Sequence, residues 1–409
     1  MTNKPKLLVL SPVLPFPLIA GGRIRIFHLL KRLSRHFDIT LLTLTDSRDN
    51  AKENGEALSF LDKLIAVPTS QNRFIQLMRI LYYLPLVFSG YPLEVIVKRS
   101  NGMSRELRDI LESERYQAVI IEYTQCIQYM KPILELRTPV ALVEHDIAYI
   151  SMRRRAAVHT GFWGMIWRWE AARTEKYEKA GWKAFNRIIT MSEVDRAEIL
   201  KDAPYAQVDV IPNGVDTNGL PVMTEGDQPI LVFVGWMRHL PNRDGLAWFL
   251  DEVWPLIREQ HHTVRFHIIG RGLPDNIRRI ADLDDRVDYL GYVRDIEDHV
   301  GKAWMSVVPI RIGSGSRLKI LESMALGTPI VTTAIGCEGI AARDGEEVMI
   351  ADAPKEFAEK VLSLLLDSDR RKQLAAKARE LVEQQYSWDR ISESAVISIE
   401  ALQSANDIP

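Results

Sequence analysis

The chain has 409 residues, 46% hydrophobic and 26% charged, with a net charge of −2. That leaves room for two ordinary globular domains, and it excludes a low-complexity chain and a nucleic-acid binder driven by bulk basicity. Two cysteines, Cys126 and Cys337, form neither a disulfide framework nor a metal pattern, which points to a reducing cytoplasm. The charge is uneven. Residues 1–202 hold 30 Lys+Arg against 22 Asp+Glu, and the remainder holds 22 against 32. A basic first half suits an anionic acceptor or a membrane surface, although such asymmetry is often incidental. Residues 1–6 lead straight into an apolar run that prolines 12, 15 and 17 interrupt, so no signal peptide is expected, and no stretch has the length of a membrane span.

Residues 6–11 (KLLVLS) read as a buried parallel strand. A proline-rich loop follows, then Gly21-Gly22-Arg23-Ile24-Arg25, an amphipathic helix through Arg35 and a strand over 39–44. This is a β-α-β start of Rossmann type, without the G-x-G-x-x-G spacing that would imply a dinucleotide. The glycine pair either lets a ligand approach or opens a helix through a tight turn. Residues 73–97 are apolar with scattered arginines and fit either a buried pair of helices or a surface lying on a bilayer. Strands over 118–122 and 139–144 end where a doubly wound sheet places its ligand crevice. His145 sits there between Glu144 and Asp146, a better setting than that of most lone histidines. Arg153-Arg154-Arg155 is either a solvated face or a grip for an anion. Residues 162–186 carry Trp163, Trp167, Trp169 and Trp182 among mixed charges, which suits a long interdomain helix with its aromatics on one side or a membrane interface. After a strand over 187–190, Ser192 is expected to cap a helix with Asp195 in the capping-box position.

A strand over 208–211 leads into the turn Pro212-Asn213-Gly214-Val215-Asp216, and 219–228 is polar and breaker-rich. A second Rossmann-like domain starts with the strand 229–235, the loop 236–242 containing Arg238, and a helix from about Asp244. Strands over 264–270, followed by Arg271, and over 287–293, ending in Val293, come next. The chemistry concentrates in 307–332. A strand runs into Gly313-Ser314-Gly315-Ser316, and a helix carrying Arg317, Lys319 and Glu322 follows at once and ends at Gly327-Thr328-Pro329. Glycines that admit close approach, unpaired N–H groups at a helix start and a movable cation together suggest a phosphate site. Glu322 lies about one turn beyond Lys319 on the same side. The same arrangement also occurs in α/β proteins where it binds nothing. Amphipathic helices over 355–366 and 369–386 close the domain.

The stretch Glu322-Ser-Met-Ala-Leu-Gly-Thr-Pro-Ile-Val resembles the donor segment of glycosyltransferase family 4, in the branch with a GSGxRLKxLE loop. The first of the family's two spaced glutamates falls on Ser314, which is a departure. Met191-Ser192-Glu193-Val194-Asp195 resembles the family's V-S-E-x-D, and 211–216 its I-P-N-G-V-D. The resemblance covers nearly the whole chain and is strongest over 187–340. It implies an α/β GT-B fold of two Rossmann-like domains facing a cleft: an acceptor-side domain 1–205, a hinge 206–228, a donor domain 229–386 and a C-terminal helix 387–409 crossing back.

The resemblance also implies retaining transfer of a sugar from a nucleotide-diphosphate sugar, the co-substrate, to an acceptor hydroxyl, with no catalytic metal and no other cofactor. Gly21 and Gly22 would lie near the reacting sugar and His145 on the donor sugar. Arg238 would reach the diphosphate; the loop's usual lysine is missing, so Lys319 and Arg317 carry more of the charge. Glu322 would take the ribose hydroxyls, and the loop around Arg271 and Val293 the base. Gly313, Ser314, Gly315 and Ser316, with a backbone nest at Gly336 and Gly339, would complete the donor site. Expected partners are the donor and a glycan or lipid-linked acceptor in envelope or exopolysaccharide synthesis, with peripheral membrane contact and no nucleic acid. The expected location is the cytoplasm, at the inner face of the membrane. A nucleotide-sugar epimerase and a non-catalytic binding module stay open, the latter because of Ser314 and the altered 236–242 loop.

Overall fold

A computed structural model describes residues 4–45, 55–69, 90–159, 161–185, 187–313 and 315–404. The chain divides into two units, residues 1–212 with 389–409, and residues 213–388. Residues 206–212 therefore go with the first unit and 213–228 with the second.

The first unit is built on β1 (Lys6–Ser11), β2 (Asp38–Thr45), β3 (Lys63–Pro68), β4 (Ala118–Glu122), β5 (Val140–Glu144), β6 (Arg187–Thr190) and β7 (Gln207–Val210). All pair in parallel in the order β3-β2-β1-β4-β5-β6-β7. Apolar runs such as LLVL and AVII are buried on both faces, as a sheet covered by helices requires. The order reverses beside β1, so the crevice of this doubly wound sheet lies at the carboxyl ends of β1 and β4. Helix Gly21–Leu33 follows β1, and its Arg25 is buried, donating from Nη1 to the Pro212 carbonyl at 2.6 Å and from Nη2 to that of Ile211 at 2.7 Å. The long helix Gly161–Trp182 belongs to this unit, and its tryptophans do not share one side: Trp182 is fully buried while Trp163 and Trp169 are exposed. Ser192 accepts from the Asp195 N–H at 3.1 Å, the expected cap. Asp389 and Ser398 of the last helix bond Arg32 at 2.7 Å and Asp209 at 2.5 Å.

The second unit repeats the plan with β8 (Ile230–Val234), β9 (Arg265–Ile269), β10 (Val287–Gly291), β11 (Met305–Val308), β12 (Ile330–Thr332) and β13 (Met349–Ile350). They are parallel in the order β10-β9-β8-β11-β12-β13, so the switch falls between β8 and β11. Phe233, Phe249, Trp254, Phe266 and Phe357 anchor its core. The helix after β8 begins at Leu240 rather than near Asp244, because Pro241 suits its first turn. The turn at 212–216 is architecture: a Cβ on Gly214 would stand 2.6 Å from the Trp388 ring. The strands over 118–122 and 187–190 have the bounds read from sequence, whereas the edge strands β3 and β13 were not foreseen. Residues 73–89 of the apolar 73–97 stretch lie outside the described residues.

Candidate functional site

Two clusters stand at the carboxyl edges of the two sheets, one in each unit. In the second unit, helix Leu318–Leu326 follows β11, and Gly327, in the left-handed conformation, ends it. Arg317 is not inside the helix as expected. It is the residue before it, with extended backbone, so its side chain leaves from the helix mouth. Gly313 and Gly315 have φ of +105° and +78°, which explains glycine at both positions. Ser314 lies outside the described residues. Ser316 Oγ accepts from Asn213 Nδ2 at 2.8 Å, so this hydroxyl is held by the turn at 212–216.

Lys319 points back toward β8. Its ammonium donates to Asn242 Oδ1 at 2.8 Å and sits 4.7 Å from the centre of the Phe233 ring. Asn242 in turn donates from Nδ2 to the Trp236 carbonyl at 3.0 Å, which fixes its amide. A Cβ on Gly235 would stand 2.8 Å from the Asn242 amide and 3.1 Å from Lys319 Nζ, so the glycine that follows β8 makes room for the pair. Burial pushes the Lys319 ammonium down to about 7; Arg317 adds to this, and Glu322 opposes it. Burial likewise raises the Glu322 carboxyl, with Lys319 pulling the other way. Sequence reasoning missed Asn242; nothing in a Pro-Asn pair at a helix start announces a lysine partner.

The remaining expected residues line the same edge. Arg238 is exposed and lies against Gly272, whose added Cβ would be 3.1 Å from the Arg238 chain. The Arg271 guanidinium covers the Tyr292 ring at 4.1 Å, and Val293 packs beneath on a small apolar cluster. Gly339 has φ of +80°. The Gly336 N–H already donates to Thr333 Oγ1 at 2.9 Å, so in the proposed nest this group is engaged.

In the first unit His145 follows β5, and its Nε2 is 2.6 Å from Glu122 Oε2 at the end of β4, both side chains buried. Tyr123, with the unusual φ of 68°, stacks on the imidazole at 3.7 Å between centroids and 7° between planes. A Cβ on Gly22 would fall 1.7 Å from the Tyr123 hydroxyl and 3.5 Å from His145 Nδ1, so the Gly21-Gly22 loop closes on this pair and Gly22 admits no side chain. The carboxylate that serves His145 is not its sequence neighbour Glu144. Glu144 accepts from Trp182 Nε1 at 2.8 Å and from Thr124 Oγ1 at 2.5 Å. Thr124 also lies 3.2 Å from Glu178, which accepts the N–H groups of Ala148 and Tyr149 at 3.0 Å each. Burial raises both carboxyls well above the usual range. Arg25 lies nearby; burial lowers it to about 10, with Glu122 and Tyr123 opposing. Among the described residues no group of acidic, histidine or cysteine side chains could hold a metal ion.

Two doubly wound parallel-sheet α/β units in one chain are the frame of a GT-B protein. The family model for Glycosyltransferase Family 4 matches residues 19–218 and that for Glycosyl transferases group 1 matches residues 228–367, and the chain belongs to this glycosyltransferase family. It is 23% identical over 172 residues to a Klebsiella pneumoniae protein described as an uncharacterized 44.6 kDa protein in the cps region, covering 40% of this chain and 44% of that one. It is 28% identical over 192 residues to a phosphatidyl-myo-inositol mannosyltransferase of Mycobacterium leprae, 44% of this chain and 50% of that one. The chain thus spans about half the length of the curated relatives it matches. Among solved structures, Anabaena Alr3699/HepE in complex with UDP and glucose superposes with a TM-score of 0.69 at 13% identity, over 97% of this chain and all of that one, a likeness of fold.

Proposed function

We propose that the protein transfers a sugar, with retention, from a nucleotide-diphosphate sugar to an acceptor hydroxyl, in the synthesis of an envelope or exported polysaccharide. The observation that carries this reading is Lys319: a partly buried cation at a helix mouth beside a glycine loop, aimed by Asn242 and depressed to about 7. Negative charge grows on the departing diphosphate as the glycosidic bond breaks. A preorganised cation and helix N-terminus stabilise that charge more than they stabilise the bound donor, which is what lowers the barrier. Arg317, Arg238 and the backbone of Gly313, Gly315 and Ser316 would add to it, with Ser314 as a further loop contact. Gly336 and Gly339 would face the same diphosphate, Glu322 the ribose, and Arg271 and Val293 the base. His145, held by Glu122, would orient the sugar at the Gly21-Gly22 loop. A carboxylate pair across the bond, as in glycosidases, has no counterpart in this scheme.

The UDP and glucose bound by the Anabaena protein support a nucleotide-sugar donor, and the cps region of the Klebsiella relative supports an exported glycan. The Mycobacterium leprae relative, a phosphatidyl-myo-inositol mannosyltransferase by name, supports a lipid-linked acceptor, which would be met at a membrane. The test is a thermal-shift panel of UDP, GDP, ADP, TDP and their sugars on the wild type and on Lys319→Ala. One diphosphate should stabilise the wild type, and the variant should lose most of that shift. A panel with no shift, or a shift that Lys319→Ala keeps, would withdraw the donor site.

A further inference from the structure

Helices Ala148–Val158 and Gly161–Trp182 pack against each other as a hairpin. A Cβ on Gly164 would stand 2.2 Å from the His159 carbonyl oxygen, so the tip is closed tightly. The first two turns of the second helix then invert the usual pattern of a surface helix. Phe162, Trp163, Met165 and Trp169 are 65%, 65%, 55% and 47% exposed, while Glu170, Arg173 and Glu178 further along are buried. Phe162, Met165 and Trp169 stand at i, i+3 and i+7 and so share one face. Scattered exposed apolar residues need no explanation, but four large ones within eight positions do.

The charge along this stretch of the chain has one sign, with Glu170 and Glu175 just beyond it and Glu175 paired with Arg153 at 2.5 Å. From Ile147 through Trp169 the chain carries four arginines, at 153, 154, 155 and 168, and no aspartate or glutamate. Arginine also covers the indoles: the Arg155 guanidinium lies 5.6 Å from the Trp167 ring and Arg173 4.1 Å from that of Trp169. Tryptophan beside arginine is the chemistry of a lipid–water boundary, where the ring enters the acyl region and the guanidinium meets the phosphate. No helix among the described residues is long and apolar enough to cross a membrane, so contact of this kind is peripheral.

We infer that the tip of this hairpin is a docking surface for an anionic lipid bilayer, with Phe162, Trp163 and Met165 as the wedge and the arginines at its rim. It rests on the reading that the acceptor is met at a membrane, and not on the donor. Charge complementarity favours a bilayer over a second copy of the chain, since two such tips would repel.

The test is flotation with vesicles of phosphatidylcholine containing phosphatidylglycerol, and with phosphatidylcholine alone, using the full chain. The wild type should float with the anionic vesicles and less with the neutral ones, and added salt should weaken it. The double substitution Phe162→Ser/Trp163→Ser and the single Arg168→Glu should each need about tenfold more anionic lipid for half-binding. Both variants should keep the wild-type thermal shift with a nucleoside diphosphate, which shows that they fold. A wild type that floats with neither vesicle, or variants that float as the wild type does, would overturn the proposal. So would a dimer that the double substitution dissociates without changing flotation. If flotation holds while no diphosphate shifts the wild type, the donor reading fails and the docking surface stands.

Discussion

His145 and Glu122 meet at 2.6 Å across the ends of neighbouring parallel strands, Nε2 to carboxylate. Nε2 is thus the nitrogen that Glu122 engages, and Nδ1 is the nitrogen turned to the Gly22 side. The ring is clamped a second time by the stacked Tyr123. Glu122 thus acts through His145 as a positioning residue. Glu122→Gln should lower kcat by about tenfold to a hundredfold, as losing a supporting carboxylate does elsewhere, with the donor KM nearly unchanged. Steady-state donor turnover decides it: an unchanged kcat would mean that the histidine needs no partner.

Gly22 and Tyr123 make a steric pair. Gly22→Ala puts a carbon 1.7 Å from the Tyr123 hydroxyl, so the tyrosine has to move. The expected cost is about 1–3 kcal/mol in urea unfolding, together with loss of transfer. Tyr123→Phe removes the clashing oxygen, so Gly22→Ala should cost less in that background than in the wild type. Additive effects would show that the hydroxyl does not rest over Gly22.

What the sequence made legible follows from physics that is local. AVIIE at 118–122 and RIIT at 187–190 are strands buried on both faces, and a short apolar run is their whole signature. KLIAVP at 63–68 is half-exposed at a sheet edge, and Met349–Ile350 is two residues long, so neither carries that signature. The glycine loop at 313–315 was legible because its φ values demand glycine. Tyr123 was not, since nothing marks a tyrosine for a positive φ. Glu144, next to His145 in sequence, turns to Trp182 and Thr124, and the histidine turns elsewhere. Its partner came from another strand, 23 residues away, as Lys319 found Asn242 77 residues away. Pairs of this kind are written in the topology, not in any window.

Thr124 stands between Glu144 and Glu178 with one hydroxyl proton, at 2.5 and 3.2 Å, and one proton cannot serve both carboxyls. Burial raises both above the ordinary carboxylate value of about 4.3. Groups raised in the folded state bind more protons there than when unfolded. Their contribution is therefore full below the unfolded value and is lost as pH rises through the folded one. Glu144→Gln removes one of these groups while keeping its shape. Urea midpoints at pH 5 and pH 8 should show the variant gaining on the wild type as pH rises. A difference that stays constant with pH, or that moves in the wild type's favour as pH rises, would mean that the pair is already proton-free in the fold.

Lys319 titrates in the opposite sense, and here ligand binding reads it. Its folded value of about 7 lies far below that of a free lysine, because burial disfavours the ammonium. A diphosphate restores the charge by pairing with it, so the bound form holds a proton that the free protein has largely given up above pH 7. Binding must then take up that proton. Affinity should be flat below about pH 7 and fall above it, by up to about tenfold per pH unit until the bound lysine itself titrates. The terminal phosphate loses its second proton near pH 6, so it does not mask the trend between pH 7 and 9. Calorimetry in two buffers of different ionisation enthalpy measures the uptake directly at pH 8. Lys319→Arg, which cannot deprotonate, should abolish the uptake even where its planar fork fits the site less well. Uptake that persists in Lys319→Arg would assign the proton to another group, and affinity independent of pH from 7 to 9 would place the diphosphate away from Lys319.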